Sequence, residues 1–462
     1  MLPYSRSIRS LVRSRPQLRW HSCSSFPPLS SFSEEEAAIQ HAARDFAAQH
    51  LPLDRVLRMD TAGALEPSLV SSLFSAGFMG IEIPEEHGGT GASFTAACLA
   101  IEQLAMRDAS TAVMVDVQNT LVNNVFKMYA SPELAAFAWP KLASSSVASF
   151  ALSEPGSGSD AFALRTTAQR DGEHYVLNGG KVWITNGGEA DLFLIFANVD
   201  PSKGYKGITC FLAERSAPGL TVGKREDKLG IRASSTVQLH FEGLRIHQSR
   251  VVGRVGEGYK YAIGILNEGR VGIAAQMVGI AQGAFDLGYA YAMQRKQFGA
   301  VVGEFQAMQH QFAAAAADIE GARLLTYNGA RLKMAVDAAQ AAGSPIDSTP
   351  FIKAAAMAKL VASQVAERTA SKAIEWMGGM GFVKESGVEK FYRDAKIGAI
   401  YEGTSNIQLS TSEWQEGEGG GLLLLPSLTH SPLTLSSTHS PLAPPLQLQS
   451  CLPRSTSSSK KI

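Results

Sequence analysis

The spacing of hydrophobic and polar positions changes twice along the chain, and the changes separate a helical stretch, a strand-rich stretch and a second helical stretch. From Ser33 to about Ser146 the pattern is helical. Ser33-Glu34-Glu35-Glu36 reads as an N-cap with a capping-box glutamate three residues on, and Ala and apolar positions recur through Phe46. Pro67–Phe78 and Ser93–Met106 continue the pattern, with a glycine-marked loop at Glu85–Gly91 between them. Near Ala148 short β-type runs begin. His174–Leu177 and Lys181–Thr185 flank Asn178-Gly179-Gly180, which predicts a hairpin. Leu192–Phe196 is an unbroken apolar run. Val237, Leu239 and Phe241 alternate with Gln238, His240 and Glu242, the period of a half-buried strand. From Gly258 helical spacing returns. Val271, Ala274, Ala275, Val278 and Ala281 lie in a segment apolar almost all round, which predicts a helix buried inside a bundle. Helices over about 303–338 and 351–377 follow, separated by the loop Ala341–Pro345. The predicted class is α+β: an all-α domain over 33–147, an antiparallel β-domain over 148–255 and a helical bundle over 256–409.

Both ends fall outside this pattern. Residues 1–32 hold Arg6, Arg9, Arg13, Arg15 and Arg19, many serines, and no acidic residue before Glu34, the composition of a mitochondrial transit peptide. Residues 410–462 run from an acidic, glycine-rich segment, Glu413–Gly421, into Ser, Pro, Thr and Leu without period. Such a tail buries too little apolar surface to offset its conformational entropy, so disorder is expected.

Composition narrows the function. A chain of 462 residues exceeds what one core normally serves, in keeping with several packed units. The 42 basic residues are balanced by 42 acidic ones, which removes the basic excess of a general nucleic-acid binder. Cys23, Cys98, Cys210 and Cys451 show neither CxxC nor metal spacing, so no disulfide framework and no metal site are expected. No run of about 18 apolar residues predicts a membrane span.

The chemistry enters at Phe150-Ala151-Leu152-Ser153-Glu154-Pro155-Gly156-Ser157-Gly158-Ser159-Asp160. Its glycines let the backbone approach a ligand, and its hydroxyls and N–H groups suit a polar ring edge or a pyrophosphate; alone, such a loop is more often a plain turn. It is followed by Lys181–Asn186, Gln294-Arg295-Lys296-Gln297-Phe298-Gly299, Phe305-Gln306, Glu375-Trp376-Met377-Gly378-Gly379, and Arg393-Asp394-Ala395-Lys396 to Tyr401-Glu402-Gly403-Thr404-Ser405. In that order, from about Ser33 to Leu409, the chain resembles the acyl-CoA dehydrogenase family.

The resemblance implies an N-terminal all-α domain, a middle antiparallel β-barrel-like domain and a C-terminal four-helix bundle, working as an FAD-dependent dehydrogenase in the mitochondrial matrix. By position, Phe150, Leu152, Ser153, Gly158 and Ser159, with Trp183, Ile184 and Thr185, would meet the isoalloxazine, Trp183 packing beside the ring. Arg295 and Gln306, with Phe298, would bind the FAD of a neighbouring subunit. Glu375, Trp376, Met377, Gly378 and Gly379 would line the same dinucleotide, and Thr404, Ser405 and Asn406 would close over its adenosine side. A shared cofactor implies a homo-oligomer, commonly a tetramer, and electron-transfer flavoprotein is the implied electron acceptor.

The reaction removes a proton from Cα of an acyl-CoA thioester while a hydride leaves Cβ for flavin N5. It needs a carboxylate of raised basicity at Cα and donors for the developing enolate oxygen. Glu402 matches the family's base. Glu268 is a rival, but the alternative base position of other family members corresponds to Gly269. Ser159, Tyr205, Tyr259, Asn267, Glu268, Gly269, Arg270 and Gly403 match positions that hold the substrate, and the phrases around them are most similar to the short/branched-chain subgroup, implying a 2-methyl-branched short acyl-CoA from isoleucine breakdown. Beyond Leu409 the family's last amphipathic helix is not matched. Two other readings stay open: an acyl-CoA oxidase of the same superfamily, and a non-catalytic apo product lacking that helix.

Overall fold

The computed structural model describes residues 28–412. Most of the expected transit peptide and of the expected disordered tail, with Cys23 and Cys451, lies outside the described residues.

Helix α1 (Glu34–His50) starts at the predicted capping box. Ser33 Oγ accepts from the Glu36 N–H at 3.1 Å and the Glu36 carboxylate accepts from the Ser33 N–H at 3.0 Å. The same carboxylate accepts from Ser93 Oγ at 3.1 Å, which joins α1 to the N-cap of α4. After α2 (Leu53–Ala62) and α3 (Pro67–Ser75) come α4 (Phe94–Ala105), α5 (Ala109–Asp116), α6 (Asn124–Tyr129) and α7 (Pro132–Ser144). Between α5 and α6, Val117–Asn123 winds as a π-helix with every residue buried. Its polar side chains are consumed locally: Asn119 donates to the Phe78 and Val115 carbonyls, each at 2.8 Å, and accepts from the Ile81 N–H at 2.9 Å.

The middle region forms β1 (Ala148–Ala151), β2 (Thr167–Asp171), β3 (His174–Thr185), β4 (Leu192–Asn198), β5 (Ile208–Glu214), β6 (Leu220–Arg225), β7 (Thr236–His247) and β8 (Val251–Val252). They make one eight-stranded sheet in the order β6-β7-β3-β2-β4-β5-β8, with β1 beside β4. Pairing is mainly antiparallel as expected, but β1 runs parallel to β4, and β2 meets β4 in parallel at Thr167 and Asn198. The hairpin expected at Asn178-Gly179-Gly180 is absent. Those residues sit inside the continuous twelve-residue β3, at a register shift against β7. A Cβ on Gly179 would fall 2.8 Å from Thr166 Oγ1, and one on Gly180 would fall 2.8 Å from the Leu239 oxygen. The glycines admit close neighbours and do not reverse the chain; the reversal comes at Gly172-Glu173, where Asp171 pairs with His174.

Helix α8 (Gly258–Ala292) is buried without a break from Val271 to Ala281, as its all-round apolar pattern predicts. A hairpin of β9 (Lys296–Gln297) and β10 (Ala300–Val301) turns at Phe298-Gly299, with φ of 53° and 79°. Helices α9 (Gln306–Ala341) and α10 (Thr349–Met377) are long, whereas α11 (Val388–Ala395) and α12 (Ser405–Ser412) have eight residues each. The expected four-helix bundle therefore shows three long helices among the described residues. Helix α12 also runs past the predicted boundary at Leu409. The hydroxyls of Ser410, Thr411 and Ser412 donate to the carbonyls of Asn406, Ile407 and Gln408, so the segment winds without an apolar period.

A buried ionic cluster ties the three regions together. Lys390 Nζ donates to Asp108 at 2.7 Å and to Asp394 at 2.6 Å, and Asp394 accepts from the Ile231 N–H at 2.6 Å.

Candidate active site

Glu402 lies between α11 and α12 on backbone that only a well-supported turn retains. Its φ is 49°, a left-handed value that costs a non-glycine residue on the order of 1–3 kcal/mol, and Gly403 follows at 83°. Three side chains hold the turn. Tyr401 Oη donates to Gln276 Oε1 on α8. Gln408 Nε2 donates to the Glu402 and Gly403 carbonyls, each at 2.9 Å, and Lys359 Nζ of α10 donates to the Gly403 carbonyl at 2.7 Å.

The carboxylate is aimed at α8. Its Oε2 is buried and has no hydrogen-bond partner among the described residues. A Cβ built on Gly269 would stand 3.0 Å from that oxygen and 2.8 Å from Leu121 Cδ2. The absent side chain at 269 and the carboxylate at 402 thus share one space, which cannot hold both. Arg270, the next residue, donates from Nη1 to Asn267 Oδ1 at 2.9 Å. Burial raises the Glu402 carboxyl to about 7, against the opposing pull of Lys359 and Arg270. The Glu402 N–H meets no protein acceptor among the described residues.

The other carboxylates nearby do different work. Asp116, at the end of α5, is buried and held well above the usual carboxylate range by burial and by the charge of Glu402, although Thr120 Oγ1 donates to it at 2.9 Å. Glu268 is committed elsewhere: its carboxylate accepts from Asn124 Nδ2 at 2.6 Å and faces Lys333 Nζ at 3.1 Å. Tyr205 and Tyr259 meet edge to face with centroids 4.9 Å apart, bringing the loop after β4 to the start of α8.

The glycine loop is fastened to β3 from beneath. Glu154 accepts from the Arg165 N–H at 2.7 Å, the Thr166 N–H at 3.1 Å and the buried Lys181 Nζ at 2.7 Å, and Lys181 also donates to the Leu152 carbonyl at 3.0 Å. The Ser153 carbonyl accepts from the Val182 N–H at 2.9 Å. Phe150 packs against Phe196, and Leu152 and Ile184 are buried, with Thr185 half-buried beside Ile184. The outer side is open: Ser159 is exposed, and no atom lies within 4 Å of a Cβ built on Gly156 or Gly158. Trp183, one residue from buried Ile184, is 66% exposed at a φ of 62°. A large aromatic held outward in a left-handed conformation beside an open glycine loop suits a planar ligand lying on it. Asn186 adds a buried Oδ1 without a partner. These features fit a flavin.

Of the remaining predicted residues, Thr404, Ser405 and Asn406 directly follow the Glu402 turn, and the others lie elsewhere. Arg295 donates to Tyr291 Oη at 2.7 Å, Phe298 at the hairpin tip is 98% exposed, and Gln306 opens α9, exposed. Glu375 is exposed and paired with Lys372 at 2.7 Å. Trp376 and Met377 point inward, Trp376 donating to Gln311 Oε1 at 3.1 Å and standing edge-on to Phe312. Their side chains belong to the bundle core; the open positions of this segment are Gly378 and Gly379. Thr404 accepts from the Ile407 N–H at 3.4 Å at the head of α12, with Ser405 half-buried and Asn406 exposed. Arg270 and Ala292 on α8 are 22 residues apart, about 33 Å of helix, so the Arg295 group lies at the far end of α8 from Glu402.

Sequence reading missed Lys359, Gln408, Gln276 and Asp116. For Lys359 a signal existed: it stands in line with Ala355, Ala362 and Ala366, a lone charge on a helix face of small apolar residues.

Known proteins share this fold and much of this sequence. Residues 33–146, 149–244 and 256–413 match the families described as acyl-CoA dehydrogenase N-terminal, middle and C-terminal domains. The chain is 52% identical over 387 residues to the short/branched chain specific acyl-CoA dehydrogenase, mitochondrial, of Rattus norvegicus, covering 84% of this chain and 86% of the relative. Its fold is similar to butyryl-CoA dehydrogenase from Megasphaera elsdenii, with a TM-score of 0.77 and 36% identity over 83% of this chain and 98% of that one. It is likewise similar to a glutaryl-CoA dehydrogenase from Mycobacterium smegmatis in complex with FADH2, with a TM-score of 0.74 and 27% identity over 82% and 94% of the two chains.

Proposed function

This chain belongs to the acyl-CoA dehydrogenase family, and from that premise we propose that Glu402 is the base that takes the α-proton of a short, 2-methyl-branched acyl-CoA. Membership makes the protein an FAD-dependent enzyme of acyl-CoA α,β-dehydrogenation. One observation carries the assignment of the base: the unpaired carboxylate oxygen of Glu402 fills the space left by the glycine at 269.

The residues divide the work. Trp183 and the loop from Phe150 to Ser159 form the platform for the flavin, which when bound accepts the hydride from Cβ. Glu402, with its carboxyl near 7, is partly ionised at neutral pH, and an acyl chain filling the pocket excludes more water and strengthens the base. Its free N–H is a donor for the thioester oxygen, where enolate charge develops. Ser159, Tyr205, Tyr259, Asn267, Arg270 and Gly403 hold the thioester and its CoA. Glu268, paired with Lys333, acts on this pocket only through α8.

About 33 Å of α8 separates the Arg270 and Arg295 groups. That separation favours two chains sharing each cofactor, with Arg295, Phe298 and Gln306 reaching a neighbour's FAD and the Gly378-Gly379 turn lining it. We read the protein as a homo-oligomer, a tetramer by family habit, in the mitochondrial matrix, with electron-transfer flavoprotein as acceptor. Residues 33–147, 148–255 and 256–409 are taken as its domains.

The test is direct. Residues 34–462 are purified, the visible spectrum is recorded for bound flavin, and 2-methylbutyryl-CoA or butyryl-CoA is added without oxygen. Bleaching with 2-methylbutyryl-CoA at the lower concentration, abolished in Glu402→Gln, is the expected result. A colourless protein, or a Glu402→Gln variant that bleaches like the parent, overturns the reading.

A further inference from the structure

We propose that Lys359 is a positioning residue for the base, clamping the Glu402-Gly403 turn and placing a buried cation next to it. The inference rests on the reading of Glu402 above and adds a second group to it.

Lys359 is fully buried on α10, where an ammonium is strongly disfavoured unless an anion faces it. Its one side-chain hydrogen bond among the described residues goes to the Gly403 carbonyl at 2.7 Å. One turn further along α10, Ser363 Oγ donates to the Gly398 carbonyl at 3.0 Å, so the same face of the helix grips the segment that carries the base at two points. Structure alone does not call for a charge at Gly403, since Gln408 already donates to both the Glu402 and the Gly403 carbonyls. The anion that the lysine answers is Glu402. Burial pulls Lys359 down to about 8 and the Glu402 charge pulls it back. From the other elements packed around Glu402 come Arg270 on α8 and Asp116 on α5, the latter raised well above the usual carboxylate range by its burial. The two cations that favour the carboxylate are Lys359 and Arg270.

Removing a cation disfavours the carboxylate and raises the pH at which it ionises. The experiment measures the acidic limb of kcat/KM in the FAD-loaded enzyme for the parent, Lys359→Met, Lys359→Gln and, as a control on the same helix face, Ser363→Ala. Both Lys359 variants are expected to move the limb upward by about one pH unit, a roughly tenfold loss of kcat/KM below it, and Ser363→Ala to leave it in place. Lys359→Gln retains a donor near Gly403, so it decides the question if Lys359→Met fails to fold. An unmoved limb in the variants that bleach overturns the role of Lys359 alone. A parent that does not bleach overturns the reading of Glu402 and this inference with it.

Discussion

Glu402→Gln should separate function from stability, because burial makes the carboxylate useful and costly for the same reason. The change preserves size and shape and leaves the left-handed turn with its partners Lys359 and Gln408. Loss of a general base lowers flavin reduction by about 10²–10⁴-fold. Stability should move the other way. The carboxyl rises from 4.5 in the unfolded chain to about 7 in the fold. A carboxyl whose folded value is the higher one favours folding least when ionised, so its contribution is fully present below pH 4.5 and is lost as pH rises through 7. A shift of about 2.5 units at about 1.36 kcal/mol each gives roughly 3 kcal/mol lost by the parent between pH 4.5 and 7, and none lost by the glutamine. For a chain of this size that is a difference in thermal midpoint of roughly 4 °C. The assay compares thermal midpoints of parent and variant from pH 5 to pH 8.5, at fixed protein concentration and saturating FAD. The Glu402 charge also raises Asp116 and Lys359, so the comparison is repeated with Asp116→Asn and Lys359→Met in both proteins. A midpoint difference that stays flat across this range, or a variant less stable than the parent at pH 8, refutes the burial argument whatever happens to activity.

Trp183→Ala should leave the folded apoprotein within about 0.5 kcal/mol of the parent, because the side chain is 66% exposed, yet lower the flavin-to-protein ratio after gel filtration. Equal flavin retention would remove Trp183 from the platform. Lys181→Met strands Glu154 beneath the glycine loop and should destabilise by about 3–5 kcal/mol in guanidinium unfolding, with Glu154→Gln in the same chain restoring part of the loss. A double variant no better than the single one would show that the pair is not a unit.

What the sequence reveals depends on whether the deciding atoms are local. The capping box at Ser33, the alternation of β7 and the unbroken burial of α8 follow from residues a few positions apart, and all three are present. The string Asn178-Gly179-Gly180 is the same whether it turns a chain or relieves a bulge. Thr166 and Leu239, which settle it, come from elsewhere in the sheet. Helix α5 and the π-turn that follows it are buried on every side and so carry no amphipathic period. At the site, Glu402 and Gly269 are readable as motif positions, but that they contest one space is a fact of three dimensions. Trp376 and Met377 show the converse: adjacent to an open glycine pair, their side chains serve the core.

The Asp108–Lys390–Asp394 cluster sets a timetable for the newborn chain. Its two ends are 282 residues apart, and a ribosome adding about 5–20 residues per second delivers Lys390 roughly 15–60 s after Asp108. Through that interval the first helices have no cation to bury Asp108 against, and closing over it early would seal in an unpaired carboxylate. The opening domain must wait, unsealed and in need of protection from aggregation, until α11 has been made.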